Sequence, residues 1–142
     1  MSRKIDHIAI AVKSLAEALR IYESVLGVSS TSVEEVTDQK TRVALLPMGD
    51  SDLELIEPLA DDSHVGRFLA KRGEGLHHLC IQVDDIQAEM ARLREAGVRL
   101  IDDTPRHGAH GCLVAFVHPS STAGVLIELS QSSSRPAKPI SG

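Results

Sequence analysis

The sequence predicts an α+β fold made of two βαβββ modules, because one stretch of the chain occurs twice. The apolar segment Ile5–Val12 returns as Leu76–Val83, and the short segment Leu53–Leu55 returns as Ile127–Leu129. The repeat distance of about 70 residues exceeds the periods typical of solenoid proteins, so each copy is a supersecondary module of its own. Each copy also carries one histidine and one glutamate at equivalent places.

The first module is predicted to contain one strand, one helix and three further strands. Ile5–Val12 is rich in β-branched residues, and Ser14 with Glu17 forms a capping box for a helix that ends at Gly27. The apolar residues whose spacing predicts a single buried stripe are Leu15, Ala18, Leu19, Tyr22, Val25 and Leu26. Strand-like runs bounded by turn residues follow at Val33–Val36, Thr41–Pro47 and Leu53–Ile56.

The second module repeats the same order of elements. Leu76–Val83 is its first strand, Asp84 and Asp85 offer a helix cap, and Gly97 ends the helix. The buried stripe of this helix comprises Ile86, Met90, Leu93 and Ala96. The remaining strands are predicted at Val98–Ile101, Cys112–His118 and Val125–Leu129.

The two modules are predicted to share one domain that spans residues 1–131. Between them, Ser63 caps a short connector helix that stops at Gly73. Residues 132–142 are rich in Ser, Pro and Lys, show no periodicity, and are expected to form a flexible tail. The predicted limits are about 3–60 for module one, 63–73 for the connector helix and 75–131 for module two.

Packing considerations predict how the two modules combine. Each four-stranded sheet has one helix, which covers only one of its two faces and leaves the other apolar face bare. Placing the two sheets edge to edge gives one strongly curved, eight-stranded mixed sheet. The concave face of such a sheet forms a cleft for a ligand.

Composition and charge narrow the classes of partner. Hydrophobic residues make up 42% of the 142 residues with no Trp, which predicts an aliphatic core, and the net charge of −5 argues against a nucleic-acid partner. No apolar run approaches the length that spans a bilayer, and the N-terminus passes into a strand pattern rather than a signal peptide. Two isolated cysteines form no disulfide framework. We therefore expect a cytoplasmic protein with a small-molecule partner and no membrane association.

The duplicated histidines and glutamates predict a metal site. Taken singly, His7 and His78 would be hydrogen-bonded core residues, and a glutamate in a strand usually faces solvent. Glu54 and Glu128, however, interrupt otherwise apolar strands, where an ionised carboxylate is costly unless a cation neutralises it. Their equivalent places in both modules favour a joint role as ligands of one divalent ion, for which Co²⁺, Mn²⁺, Zn²⁺ and Ni²⁺ are all suitable.

Other residues give weaker signals. Strand alternation turns His77 away from the face of His78, so a packing or surface role is expected, and Cys80 on that face reads as a core residue. The segment Pro105–Gly111 suits either a loop that approaches an anionic substrate or a plain surface loop. Candidates for phosphate contact are Lys71, Arg72, Arg106 and His110.

Several segments together resemble those of a known superfamily. The segments that carry the resemblance are Asp6–Ala9, Leu53–Leu59, Phe68–Leu79, Gly108–Gly111, Phe116–Pro119 and Val125–Leu129. The chain is similar over residues 3 to about 131 to the vicinal oxygen chelate superfamily, which includes glyoxalase I and extradiol dioxygenases. Within it, the closest similarity is to the methylmalonyl-CoA epimerases.

The resemblance implies a metal centre and a reaction. It implies that His7, Glu54, His78 and Glu128 hold one divalent ion, Co²⁺ foremost, in a homodimeric enzyme with an acyl-CoA substrate. The implied reaction interconverts (2R)- and (2S)-methylmalonyl-CoA by removing the C2 proton through a metal-chelated enolate. Some relatives carry a glutamate, proposed as a base, where this chain has Val43. By analogy with glyoxalase I, we expect Glu128 to serve as a catalytic base on one face.

Two alternative functions remain open at this level. A glyoxalase I-type lactoylglutathione lyase uses a nearly identical ligand set, although the segments around the ligands favour the epimerase. A metal-free small-molecule-binding member of the superfamily would lack a full set of four ligands, whereas all four positions are filled here. An extradiol dioxygenase fits less well, since its iron site needs only two histidines and one carboxylate.

Overall fold

The computed structural model describes residues 3–132, within which the chain forms eight strands and three α-helices. The strands are β1 Lys4–Ala11, β2 Ser32–Val36, β3 Thr41–Met48, β4 Ser51–Pro58, β5 Gly75–Gln82, β6 Arg106–His107, β7 Leu113–Val117 and β8 Ile127–Gln131. The helices are α1 Leu15–Leu26, α2 His64–Arg72 and α3 Ile86–Glu95. None of these helices combines the length and the hydropathy that a bilayer crossing requires.

The eight strands form one mixed sheet in the order β2-β3-β4-β1-β5-β8-β7-β6. Within the modules, β1 runs parallel to β4 and β5 runs parallel to β8. The modules meet where β1 pairs with β5 in antiparallel fashion. This pairing confirms the predicted edge-to-edge arrangement of two βαβββ modules. The first strand of each module therefore lies at the centre of the sheet.

The predicted helix caps are present in all three helices. The Ser14 hydroxyl accepts a hydrogen bond from the Glu17 amide at 3.3 Å, and Gly27 ends α1 with φ 70°. In α2 the Ser63 hydroxyl accepts from the Gly66 amide at 2.9 Å. In α3 the Asp85 carboxylate accepts from the Ala88 amide at 3.1 Å. These caps fix where each helix leaves its preceding strand.

The helices divide between the two faces of the sheet. Helix α1 packs its buried Leu15 and Ala18 against Leu46 and Leu55, and α3 covers the corresponding face of the second module. Strand alternation turns Glu54 to the opposite face. Helix α2 packs on that opposite face, where Val65 joins the buried side chains of Ala9, Ala11, Val36, Val43 and Ile56. The cleft is thus closed on one side by α2.

The structure corrects three details of the sequence prediction. Ala96, predicted to lie in the buried stripe of the second helix, is exposed and follows the last residue of α3. Val25 is 72% exposed, because it lies at the edge of the α1 stripe and not on the line that faces the sheet. Val98–Ile101 is not a strand, and only Leu100 forms an isolated bridge with Val117. The ladder stops because the Phe116 amide donates to the Asp102 carboxylate at 2.8 Å instead of to a backbone carbonyl. The edge strand of module two is instead the short β6.

The predicted flexible tail, residues 132–142, lies outside the described residues except for its first position. The predicted domain and module limits stay predictions.

We expect a Leu55→Ala variant to lower the free energy of unfolding by about 2 to 5 kcal/mol, because it opens a cavity between α1 and the sheet. Leu55 is completely buried, whereas Val25 on the same helix–sheet unit is largely exposed. A Val25→Ala control should change the free energy by no more than about 0.5 kcal/mol. Urea denaturation of both variants measures the difference, and equal effects would contradict the packing described above.

Candidate metal centre

The four residues predicted to bind a metal lie on four adjacent strands of the sheet. Glu54 is on β4, His7 on β1, His78 on β5 and Glu128 on β8. In the sheet register, Ala9 lies beside both Glu54 and His78, and Cys80 lies beside Glu128. Ala9 shares its face of β1 with His7, and Cys80 shares its face of β5 with His78. The side chains of all four predicted ligands therefore lie on the concave face. Each of the four residues is less than 9% exposed. Together they line one cavity.

The four side chains converge at short distances. The Nε2 atoms of His7 and His78 are 3.2 Å apart. The Glu128 Oε1 atom lies 3.2 Å from His7 Nε2 and 2.9 Å from His78 Nε2, whereas the Glu54 Oε1 atom lies 3.6 Å and 3.8 Å from the same nitrogens. Two imidazole nitrogens and two carboxylates that converge in a buried cleft are a donor set that fits a divalent ion.

Two β-bulges, which the alternation of side chains along the strands did not predict, support the histidines. In the β1–β5 ladder, Ile5 pairs with Ile81 and His7 with Cys80, so Asp6 is an extra residue on β1. Further along, Ala9 pairs with His78 and Ile10 with Leu76, so His77 is an extra residue on β5. Each bulged residue directly precedes one of the two histidines. The bulges therefore repeat the symmetry of the modules.

Each bulged residue contacts the Nδ1 atom of the histidine that follows it. Asp6 Oδ2 lies 2.8 Å from His7 Nδ1, and His77 Nδ1 lies 2.8 Å from His78 Nδ1. Burial, together with the nearby His78 and His64 rings, lowers the pKa of His77 to about 3, so His77 is neutral and able to accept a hydrogen bond. Both Nε2 atoms thus point to the centre of the cleft, an arrangement typical of supported metal ligands.

His77 therefore differs from the sequence expectation in one respect. It is a buried packing residue, as one of the predicted roles required, and its ring lies edge-on to Phe68 with centroids 4.8 Å apart. Strict strand alternation would have separated it from His78, but the bulge brings the two rings together. Pairs of polar residues at the start of each repeat, Asp6 with His7 and His77 with His78, were the only sequence signal of these supports.

In the protein without metal, the pKa values of the two carboxylates are shifted in opposite directions. Burial raises the pKa of Glu54 above its ordinary value, and the more distant imidazoles offset this only in part. Burial acts on Glu128 in the same sense, but the closer His78 and His7 rings hold its pKa below its ordinary value. The pKa of His7 is raised, since the Glu54 charge and the Asp6 hydrogen bond outweigh the effect of burial. A metal ion would therefore displace a proton from His7.

A second group of potential ligand atoms is less suited to a metal. The side chains of Asp6, His7 and Cys80 also approach one another within 4.8 Å. Burial raises the pKa of the Cys80 thiol well above its ordinary value, so Cys80 is a neutral thiol in the metal-free protein. Cys80 is completely buried, in agreement with the core role expected from the sequence.

The basic candidates for phosphate contact occupy different places. Lys71 and Arg72 lie in the last turn of α2 and border a large apolar groove next to His77 and His78. Arg106 pairs with Asp102 at 2.8 Å and lines a smaller cavity beside the same histidines. His110 lies apart from these three residues, in the cavity lined by the four converging side chains. The four basic candidates therefore do not form one site.

The sequence and the fold match those of a known family. Residues 6–116 match the model of the Glyoxalase/Bleomycin resistance protein/Dioxygenase superfamily, and the chain belongs to it. Similar proteins place the chain more narrowly, in the methylmalonyl-CoA epimerase family.

Three similar proteins illustrate the match. The uncharacterised protein YqjC of Bacillus subtilis is 45% identical over 89% of this chain and 90% of its own length. Mitochondrial methylmalonyl-CoA epimerase of Mus musculus is 37% identical over 90% of this chain and 72% of its own length. A solved structure of a methylmalonyl-CoA epimerase in complex with methylmalonyl-CoA and ammonium superposes with a TM-score of 0.90 at 38% identity, and it covers 94% of this chain and 97% of the other.

The opposite pKa shifts predict opposite effects of two conservative substitutions on metal-free protein. Above the ordinary glutamate pKa of 4.5, Glu54→Gln should raise the free energy of unfolding, because the native state disfavours the Glu54 charge. Glu128→Gln should lower it, because the native state favours the Glu128 charge. Each unit of pKa shift is worth about 1.4 kcal/mol.

The effect of Glu54→Gln should shrink as the pH falls toward 4.5 through the raised native pKa of Glu54, because the native carboxyl then takes up its proton. The effect of Glu128→Gln should begin to shrink only below pH 4.5, where the unfolded chain takes up a proton that the native chain does not. Thermal or urea denaturation with chelator present, at several pH values from 4 to 8, gives the sign of each effect. Equal effects of the two substitutions would contradict the different positions of the two carboxylates.

Proposed function

We propose that this protein is a metal-dependent epimerase that interconverts (2R)- and (2S)-methylmalonyl-CoA. The convergence of His7, Glu54, His78 and Glu128 in one buried cleft carries the proposal. Membership of a family whose named members are methylmalonyl-CoA epimerases supports the choice of substrate. The reaction is an isomerisation in which the C2 proton leaves one face of the substrate and a proton returns to the other.

The donor set is proposed to hold one divalent ion, with Co²⁺ as the first candidate by family resemblance and Mn²⁺, Ni²⁺ and Zn²⁺ as alternatives. When bound, such an ion supplies Lewis-acid stabilisation of the negative charge that develops on the thioester oxygen, worth several kcal/mol. Asp6 and His77 orient the two imidazoles through their Nδ1 atoms. The packing around them buries both imidazoles and both carboxylates.

Glu128 is proposed to move a proton on one face of the substrate. Its carboxylate lies against both imidazoles, 3.2 Å from His7 Nε2 and 2.9 Å from His78 Nε2, at the centre where the substrate would be held. Release of one carboxylate oxygen toward the substrate would let it take the C2 proton. Such proton transfers contribute about a hundredfold to ten-thousandfold to a rate.

The surface beside the centre suits an acyl-CoA. Arg67, Lys71 and Arg72 project from α2 along an apolar groove that reaches His77 and His78. Apolar walls suit the pantetheine arm, and guanidinium or ammonium groups suit phosphates. Arg72 also lies over the Phe68 ring, with 5.7 Å from its guanidinium carbon to the ring centroid. The groove therefore supports a substrate that is anionic at the end remote from the centre.

Each of the two alternative functions would use part of the same site. A lactoylglutathione lyase would use the same four side chains, and a metal-free binding protein would use the same cleft. The similar proteins favour the epimerase over both. The homodimer and the cytoplasmic location expected from the sequence stay predictions.

Metal removal tests the proposed function. Protein stripped with a chelator should lose epimerisation of methylmalonyl-CoA by about a hundredfold or more, and Co²⁺ should restore it, because several kcal/mol of stabilisation are lost and regained. A His78→Ala variant should bind metal weakly and should not recover. Elemental analysis, C2 deuterium exchange and epimerisation are measured together.

The same preparations should form no D-lactoylglutathione from the glutathione hemithioacetal of methylglyoxal. Formation of that product without epimerisation would favour the lyase. A protein that takes up no divalent ion and turns over neither substrate would favour the binding protein.

A Glu128→Gln variant tests the proposed base. Where the variant retains metal, exchange of the C2 proton with deuterated water should fall by about a hundredfold or more for one of the two epimers, since an amide cannot accept the proton. Glu35→Gln, at an exposed position on β2, is the matched control and should exchange at the parental rate. Parental exchange of both epimers by metal-loaded Glu128→Gln would exclude the role.

A further inference from the structure

Inversion at C2 requires proton transfer on two faces of the substrate, and the wall opposite Glu128 is apolar at its centre. Val43 on β3 is buried, lines the same cavity as the four converging side chains, and cannot transfer a proton. The β3–β4 register pairs Leu45 with Glu54, so Val43 and Leu45 both face the cleft. The β3 side of the cavity therefore offers no proton-transfer group at Val43 or Leu45.

The side chain next to Val43 on this wall is an acid. The β2–β3 register pairs Glu34 directly with Val43, and opposite residues of an antiparallel pair project on the same face. Glu34 does not reach into the centre but binds the turn Ala109–Gly111. The His110 amide donates to Glu34 Oε1 at 2.9 Å and to Oε2 at 3.1 Å. Glu34 thus ties this turn of module two to β2 of module one.

The same carboxylate also contacts the His110 ring. His110 Nδ1 lies 3.1 Å from Glu34 Oε1, and His110 Nε2 lies 3.4 Å from Ser32 Oγ on the same strand. His110 lines the cavity that contains the candidate metal centre. One ring nitrogen is thus held by a carboxylate, and the other makes only a weak contact. This is how a histidine that acts as a general acid or base is oriented.

We propose that His110, oriented by Glu34, is the second proton-transfer group of the epimerase. This inference rests on the proposed function. Glu128 lies on β8, whereas Glu34 holds His110 against β2, and β3, β4, β1 and β5 lie between these two strands in the sheet. Glu128 is buried in the centre, and His110 lines the same cavity from a partly exposed position against β2. In this proposal the two groups act on opposite faces of a substrate held between them.

The backbone at His110 fits a specialised role. Its φ of 57° lies in the left-handed region, which is uncommon for a residue other than Gly, Asn or Asp. The paired hydrogen bonds from the His110 amide to Glu34 hold this conformation. Backbone held in such regions by its surroundings is frequent at active sites. The His110 side chain is 41% exposed, so the ring can exchange protons with water between turnovers.

The proton balance closes with these two groups. The Glu128 carboxylate accepts the C2 proton of one epimer, and the electron pair of the C–H bond moves into the thioester carbonyl to give an enolate. His110 in its protonated form then donates from Nε2 to the opposite face of C2, and the carbonyl re-forms. Catalysis of the reverse direction, or exchange with water, returns Glu128 to the carboxylate and His110 to the protonated ring. No oxidant or additional reactant is required.

A His110→Asn variant tests the proposal, because asparagine tolerates the left-handed conformation but does not carry a proton at neutral pH. We expect epimerisation to fall by about a hundredfold to ten-thousandfold in both directions. Deuterium exchange at C2 should survive for the one epimer whose proton faces Glu128, without inversion, and should be lost for the other. Metal content and melting temperature should stay at the parental values. His107→Gln, at an exposed position on β6, is the control and should behave as the parent.

Two further variants separate catalysis from structure. Added imidazole should partly restore epimerisation to His110→Gly, since glycine frees the space of the ring and relieves the positive φ. Glu34→Gln should lower kcat about tenfold with little change in KM, because Glu34 positions the ring and stabilises its charge.

Two results would overturn the proposal. One is parental epimerisation by His110→Asn. The other is an equal loss of exchange from both epimers without rescue by imidazole, which would indicate a structural role. A parental protein that does not epimerise methylmalonyl-CoA at all would overturn the proposed function itself, and this inference would fail with it.

Discussion

The antiparallel pairing of β1 with β5 is the interaction on which the rest of the structure depends. It joins the two modules through their first strands and places the two histidines side by side. The parallel partners of these strands, β4 and β8, then bring in one glutamate each. A shift of this ladder by one residue would turn either histidine to the opposite face. The bulges at Asp6 and His77 fix the register at both ends of the shared segment.

The cost of burying this centre explains much of its surroundings. Four ionisable side chains share a space from which water is largely excluded, and such groups are unfavourable unless each has a partner. In the metal-free protein the partners are one another, with Asp6 and His77 as outer supports. Glu54 is the least well compensated of the four, because its carboxylate is farther from both imidazoles. A divalent cation would compensate this charge, which is why the donor set fits one.

The two walls of the cleft differ in a way that matches a reaction with two proton transfers. On the β8 side, Glu128 belongs to the centre itself. On the β2–β3 side, the position that faces the cleft is Val43, and polar groups appear only one strand further out, at Glu34 and the turn that carries His110. The two modules therefore supply similar groups to the centre but different groups to the walls. The duplication accounts for the shared site, and divergence outside it accounts for the asymmetry of the walls.

The sequence by itself determined the modules, the helix caps and the four converging residues, because each depends on local pattern or on equivalence between repeats. Ser14, Ser63 and Gly27 act through hydrogen bonds and backbone angles within a few residues, so their roles are readable along the chain. Only the tertiary structure decided the rest. Whether Val98–Ile101 joins the sheet depends on Asp102 reaching a β7 amide, and the contacts of Asp6 and His77 depend on bulges. The meeting of Glu34 with His110 joins residues far apart in the sequence, and no local pattern encodes such a contact, because it forms only when the curved sheet brings its two edges together.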